Sequence, residues 1–135
     1  MFHSNLSAKS PLSLDQYIIK DYYIRYQGAL HMQWKVIYLE DVEAWLLELS
    51  KEQFKSVAKE MRLLELSGAQ LRLPHSRTLG GGLFELRERG FGLRIYYAFN
   101  QERTAVLLHA GDKSDQLHDI MKARRLLKRY RGNTK

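Results

Sequence analysis

The 135-residue chain contains no cysteine, which excludes disulfides, thiolate metal sites and a thiol nucleophile. No apolar run approaches the roughly 20 residues that a membrane span requires. The opening stretch, MFHSNLSAKSPLSLDQYIIKDYY, lacks the apolar core of a signal peptide. A bacterial-type cytoplasm and no membrane partner are the expectation. Low-complexity tracts and internal repeats are also missing. The scarcest feature is negative charge in the second half. Residues 72–135 hold 6 Asp/Glu against 14 Lys/Arg, whereas residues 1–71 hold 9 against 8. The net charge of +7 therefore resides wholly in the second half. A one-sided basic field of this kind draws a polyanion, either nucleic acid or an acidic protein, although a generically basic surface has the same composition.

Hydrophobic residues make up 44% and aromatics 11%, enough for one globular domain with a single core. Residues 1–31 read as an extension. Ser13 and Gln16 form a capping box, and Leu14, Tyr17, Ile18 and Tyr22 give a rough helical stripe. The domain proper is expected over 32–135. QWKVIYL (33–39) is rich in β-branched and aromatic residues and reads as a strand. Val42, Trp45, Leu46 and Leu49 recur at helical spacing. Ser50 with Gln53 is a second capping box, opening a helix that ends at Gly68. The two helices form an antiparallel hairpin.

After Pro74 the period changes to two. Leu83, Glu85 and Arg87 point one way along a strand. Leu93, Ile95, Tyr97 and Phe99 share a face of the next, opposite Arg94, Tyr96 and Ala98. TAVLLHA (104–110) is apolar on both faces, as a central or covered strand should be. Ser114 or Asp115 then caps a last helix, whose inward residues are expected to be Leu117, Ile120, Met121, Ala123 and Leu127. Its outer side carries Lys122, Arg124, Arg125, Lys128 and Arg129. The order β-α-α-β-β-β-α, with a three-stranded antiparallel meander, is an α+β fold.

Gly80, Gly81 and Gly82 raise the question of a phosphate-cradling loop. A P-loop or a dinucleotide fingerprint opens a helix, whereas these glycines open a strand with no Lys-Ser/Thr behind them. A turn with positive φ is the better reading. Arg87 and Arg94 lie on adjacent strands across a turn. If they share a face, two permanently charged guanidiniums meet there with Tyr96. Such a face is not expected to be core; it is either solvated or a polyanion site. Arg94 is accordingly expected to be removable without harm to the fold. Arg77 before the sheet and Lys113 after it would close the rim. His75, in the loop before the sheet, and His109, at a strand end, sit where functional histidines often lie. No histidine pair has metal-ligand spacing, so no metal or other cofactor is expected.

The segment LRLPHSRTLGGGLFELRERGFGLRIYYAF, followed by LLHAGDKSDQLHDIMKARRLLKRY, resembles the RelE/ParE toxin superfamily, in its phage-derived, HigB-like branch. The pattern P-x-x-R-x-L-G-x-G-L-(F/W)-E-L-R is met by Pro74, Arg77, Leu79, Gly80, Gly82, Leu83, Phe84, Glu85, Leu86 and Arg87. Arg94, Ile95 and Tyr97 supply the following strand motif, and Lys113 and Ala123 with Arg125 or its neighbour the remainder. The resemblance runs from about Gln33 to Arg131. It implies a type II toxin that cleaves mRNA, often on the ribosome, by metal-free attack of a ribose 2′-hydroxyl. It also implies a cognate antitoxin, commonly a small helix-turn-helix protein. Arg87 and Arg94 would stabilise the phosphorane, Tyr96, His75, His109 or Lys113 would move protons, and Arg77, His75, Arg124 and Arg125 would hold substrate. Two departures stand out. Asp112-Lys113 occupies a place where the family usually has two basic residues, and Leu83 and Glu85 stand where related RelE toxins carry lysines. Two other functions fit the same superfamily fold: a ParE-like gyrase poison, and a binding module without catalysis.

Overall fold

The computed structural model describes residues 34–133. The expectations for residues 1–31 lie outside the described residues. The chain runs β1 (Lys35–Tyr38), α1 (Glu40–Leu47), α2 (Lys51–Ser67), β2 (Ser76–Gly80), β3 (Leu83–Glu88), β4 (Leu93–Phe99), β5 (Thr104–Asp112) and α3 (Gln116–Asn133). One sheet has the order β1-β5-β4-β3-β2; β1 is parallel to β5 and every other pair is antiparallel. The α+β class, the N-terminal strand, the helical hairpin and the C-terminal helix are as expected.

The helical hairpin covers one face of the sheet and α3 covers the other. Val36, Tyr38, Leu86, Ile95, Tyr97, Ala105 and Leu107 bury against Val42, Leu46, Val57, Met61 and Leu64. On the second face, Leu83, Tyr96, Ala98, Val106 and Leu108 meet Ala123 and Leu127 of α3. Strand β5 lies between β1 and β4 and contributes to both layers, which is why its sequence is apolar on both sides. It runs two residues beyond its expected end, so His109 lies inside the strand.

The Ser50 capping box is complete. The Ser50 amide donates to Gln53 Oε1 (2.9 Å), and the Gln53 amide donates to Ser50 Oγ (3.1 Å). At the other end of α2, Gly68 adopts φ +53° beneath the Trp34 indole.

The meander has four strands, because Ser76–Gly80 pairs with β3 as an edge strand. Only Ser76 in it is buried, so it has no core-facing alternation by which the sequence could announce it. The Ser76 hydroxyl meets the Tyr97 hydroxyl at 2.5 Å inside the hairpin-side core. Gly80 pairs with Leu83, leaving Gly81 and Gly82 as a two-residue turn with φ +64° and +84°. Positive φ at both central positions is the type I′ requirement. The glycines are thus a hairpin turn, as their motif context argued.

Helix α3 is rotated from its expected setting. Ile120, Ala123 and Leu127 face inward, but Leu117 is 73% exposed and Met121 is 52% exposed. The inward row is instead Gln116, Asp119, Ile120, Ala123, Leu127 and Tyr130. Its first turn lies over a polar part of the sheet, so amphipathicity measured by apolar residues alone misplaces the helix face. The cap also differs. Asp112, rather than Ser114 or Asp115, accepts the Ser114 amide (2.8 Å) and hydroxyl (2.5 Å) at the 3-10 turn preceding the helix.

A Cβ on Gly68 would fall 2.1 Å from Trp34 Nε1, in a backbone region that side chains rarely adopt. Gly68→Ala is expected to cost about 2 kcal/mol or more, read by urea unfolding followed through tryptophan fluorescence.

Candidate functional site

The second face changes character along its strands. At one end it is apolar, with Leu83 and Ala98 under α3. At the other the residues are ionic. Cross-strand register places Arg77, Glu85, Tyr96 and His109 in one row, and Arg87, Arg94 and Gly111 in the next. Arg87 and Arg94 are thus direct partners on one face.

Glu85 sits at the focus of this face with 0% exposure. Its Oε1 forms ion pairs with Arg77 Nη2 at 3.1 Å, Arg94 Nη1 at 3.4 Å and Arg87 Nε at 3.8 Å. Gln116, the first residue of α3, donates to Oε2 at 2.5 Å. Two unit charges 4 Å apart interact by about 4 kcal/mol at an effective dielectric near 20. Three guanidiniums crowded this closely therefore need a counter-charge, and Glu85 provides one. The cluster still carries three positive charges against one negative. Arg87 Nε and Arg94 Nε are buried without hydrogen-bond partners among the described residues.

This overturns the expectation that the face bearing Arg87, Arg94 and Tyr96 is not core. Arg94 is 8% exposed and Tyr96 0%. Arg94 does not face out of the core, so its removal would perturb a buried ion cluster as well as any site. The outward members are Arg77 and Arg87, whose side chains are 45% and 27% exposed.

Among the described residues the Tyr96 hydroxyl has no hydrogen-bond partner. Burial, and then the charges of Glu85 and Asp119, push its ionisation well above the ordinary tyrosine range, only partly opposed by Arg94 and Arg77. The phenol therefore stays protonated at neutral pH and can donate a hydrogen bond but not act as a base. His109 Nε2 lies 3.0 Å from Asp119 Oδ1 on α3, and its Nδ1 lies 3.5 Å from Asp41 Oδ2 on α1. Lys122 shares Asp41 at 3.4 Å. Lys113 is exposed, and its methylenes lie over Gly92, where an added Cβ would be 3.1 Å from Lys113 Cε.

Three sequence assignments change place. His75 accepts the Arg87 amide at its carbonyl (2.8 Å), but its side chain turns away from the arginine cluster: Nδ1 pairs with Glu60 Oε1 of α2 at 2.9 Å, on the hairpin side of the sheet. Burial raises the Glu60 carboxyl despite that contact. Arg124 is a clamp on the glycine turn, donating to Leu79 O (2.7 Å) and Gly80 O (3.1 Å). Arg131 reaches Gly81 O at 3.4 Å beside it. Arg125 is exposed on the outer face of α3. Asp112 is engaged with Ser114, which holds its carboxyl below the usual range, so its charge serves the turn.

Sequence reasoning missed Glu85, Gln116, Asp119 and Asp41 as members of this region. Glu85 had a signal: it shares the inward period of Leu83. The others come together only through the placement of α1 and α3. Glu88 was missed as well; it is 4% exposed and caps the β3–β4 turn, accepting from Ser56 Oγ (2.7 Å) and the amides of Gly90 (2.7 Å) and Phe91 (3.0 Å).

Tyr97 is also pushed up, to about 12, by burial, with the Ser76 hydrogen bond opposing. Both phenols ionise more readily in the unfolded chain. Their contribution to stability is therefore complete below the ordinary tyrosine value of 10.0 and is lost as pH rises toward 12. Burial raises Tyr38 as well, so phenolate absorbance is expected to show at least two tyrosines ionising only together with alkaline unfolding. Tyr96→Phe, which removes an unpartnered hydroxyl, is expected to leave the neutral-pH melting temperature unchanged or slightly higher.

The model of the phage-derived Gp49-like protein family matches residues 44–130, which include Glu85, the three arginines around it and Gln116. A Mycobacterium tuberculosis protein that bears the toxin name HigB3 is 37% identical over 83 residues, covering 58% of this chain and 73% of that protein. A second from the same organism, bearing the toxin name HigB2, is 34% identical over 83 residues; the match covers 56% of this chain but only 41% of HigB2. Among solved structures, the isolated Escherichia coli RelE toxin aligns with a TM-score of 0.51 at 14% identity, over 66% of this chain and 96% of RelE. The RelE–RelB complex from Pyrococcus horikoshii aligns at 0.50 with 19% identity, over 62% of this chain and 98% of that chain. Those two likenesses show the fold. The family model and the HigB3 match place the chain in the phage-derived Gp49-like family of HigB-like toxins.

Proposed function

We propose that the chain is an endoribonuclease that cleaves mRNA, working with ribosomes and held in check by a cognate antitoxin. The observation that carries this reading is the charge count around Glu85: three guanidiniums from three adjacent strands converge on one carboxylate. The two uncompensated positive charges suit a phosphate, and Arg77 and Arg87 are exposed enough to meet one. In the reaction the ribose 2′-oxygen attacks the adjacent phosphorus and loses its proton. The phosphorus–O5′ bond breaks, leaving a cyclic phosphate and a 5′-hydroxyl that gains a proton. The pentacoordinate transition state gathers negative charge, which is where fixed guanidiniums help most. Tyr96, held protonated, is a donor in the wall of the site. Lys113 at the open end and His109 between its two carboxylates are the proton-transfer groups.

The catalytic unit in this reading is 32–135, with 1–31 an appended segment. The antitoxin follows from the family and from the RelE–RelB complex whose fold the chain shares. Its commonest form, a small helix-turn-helix protein, comes only from the resemblance.

Arg87 is the residue to remove, because Glu85 then keeps Arg77 and Arg94 and no carboxylate is stranded. Arg87→Ala is expected to lower RNA cleavage by roughly 100-fold or more, with folding retained and growth arrest lost. Mapping mRNA 5′ ends after induction checks this. Growth arrest with no new ends, accompanied by gyrase-dependent DNA damage, would overturn the reading in favour of a ParE-like poison.

A further inference from the structure

The mechanism above has no task for Glu85, yet its carboxylate is fully enclosed at the centre of the site. We infer that Glu85 is a positioning residue that sets the three arginines in the geometry needed to receive a phosphate. The inference rests on the ribonuclease reading for its consequence, but not for its structural content. Four observations carry it. The carboxylate is 0% exposed, so a substrate hydroxyl does not reach it, and it acts only through its neighbours. All three guanidiniums address the same oxygen, Oε1, at 3.1, 3.4 and 3.8 Å. The other oxygen is taken by Gln116 at 2.5 Å, which fixes the carboxylate plane from α3. Finally, the arginines lie on β2, β3 and β4, so without a shared acceptor nothing ties an edge-strand side chain to those of the inner strands.

The arrangement distributes the work. Each arginine gives a different part of its fork to Glu85: Nη2 of Arg77, Nη1 of Arg94 and Nε of Arg87. Arg77 and Arg87 keep 45% and 27% of their side chains exposed, so their outer N–H groups can meet a phosphate while Arg94 stays enclosed behind them. Preorganised donors of this kind need no rearrangement as charge develops.

The test uses the full-length chain and two variants. Glu85→Asp keeps the charge and withdraws it by one methylene; Glu85→Gln keeps the reach and removes the charge. The first readout is the arginine Nε–Hε NMR spectrum, with and without inorganic phosphate. Wild type is expected to show three dispersed signals that shift on phosphate addition. Both variants are expected to lose that dispersion at Arg77, Arg87 and Arg94, while backbone amide signals of β3 and β4 persist. The second readout is RNA cleavage. A displacement of about 1 Å can cost roughly 100-fold in rate, so Glu85→Asp is expected to lower kcat by about that factor with KM little changed. Dispersed arginine signals in Glu85→Asp, or cleavage at the wild-type rate, would overturn the inference. Should Glu85→Gln fail to fold, Glu85→Asp decides alone. Should the wild-type chain cut no RNA, the function reading fails, and the arginine spectrum still decides whether Glu85 orders the trio.

Discussion

A single buried carboxylate carries the ionic half of the sheet's second face. Arginine does not give up its charge, so a face holding Arg77, Arg87 and Arg94 within a few ångströms repels itself unless an anion stands among them. Glu85 is that anion, and its enclosure strengthens every contact it makes. Gln116 extends the same cluster to the first turn of α3. The rotation of the helix follows: its polar leading residues are drawn to the sheet, and Leu117 and Met121 are turned outward.

The rest of α3 is anchored by quite different forces. Ala123 and Leu127 bury apolar surface over Leu83, Ala98 and Leu108. Arg124 and Arg131 then reach the carbonyls of the Leu79–Gly81 turn. That turn exposes its backbone oxygens only because glycines let it adopt positive φ at Gly80, Gly81 and Gly82. The glycine triplet therefore serves the site twice. It reverses the chain so that Arg77 lies beside Glu85, and it offers acceptors that hold down the helix from which Gln116 projects.

The hairpin-side face has a separate logic. Its core is largely apolar; besides the buried Arg62–Glu65 pair of α2, the Ser76–Tyr97 pair and the Glu88 cap are its enclosed polar features. Satisfied groups of this sort keep the β3–β4 turn and the edge strand β2 in register. His75 belongs to this side through Glu60. A basic-half charge excess is thus divided by the sheet: Arg77, Arg87 and Arg94 gather on the α3 face, while the histidine nearest to them in sequence lies on the opposite face.

Local patterning determined the α+β class, both helices of the hairpin, the Ser50 cap, the Gly68 stop, the covered strand β5 and the pairing of Arg87 with Arg94 across a turn. Each of these follows from short-range periodicity or from a cap of a few residues, which a single sequence records directly. The family resemblance in the segment from Pro74 to Phe99 was legible for the same reason. Three things depended on the tertiary structure. An exposed edge strand such as Ser76–Gly80 shows no buried alternation, because only pairing to β3 makes it a strand. The burial of Arg94 and Tyr96 depended on where α3 lies, which no strand pattern encodes. The company of Glu85, drawn from β2, β3, β4 and α3, was assembled by long-range packing. Sequence read one strand at a time sees a charged residue as exposed; only the fold shows that three opposite charges make its burial favourable.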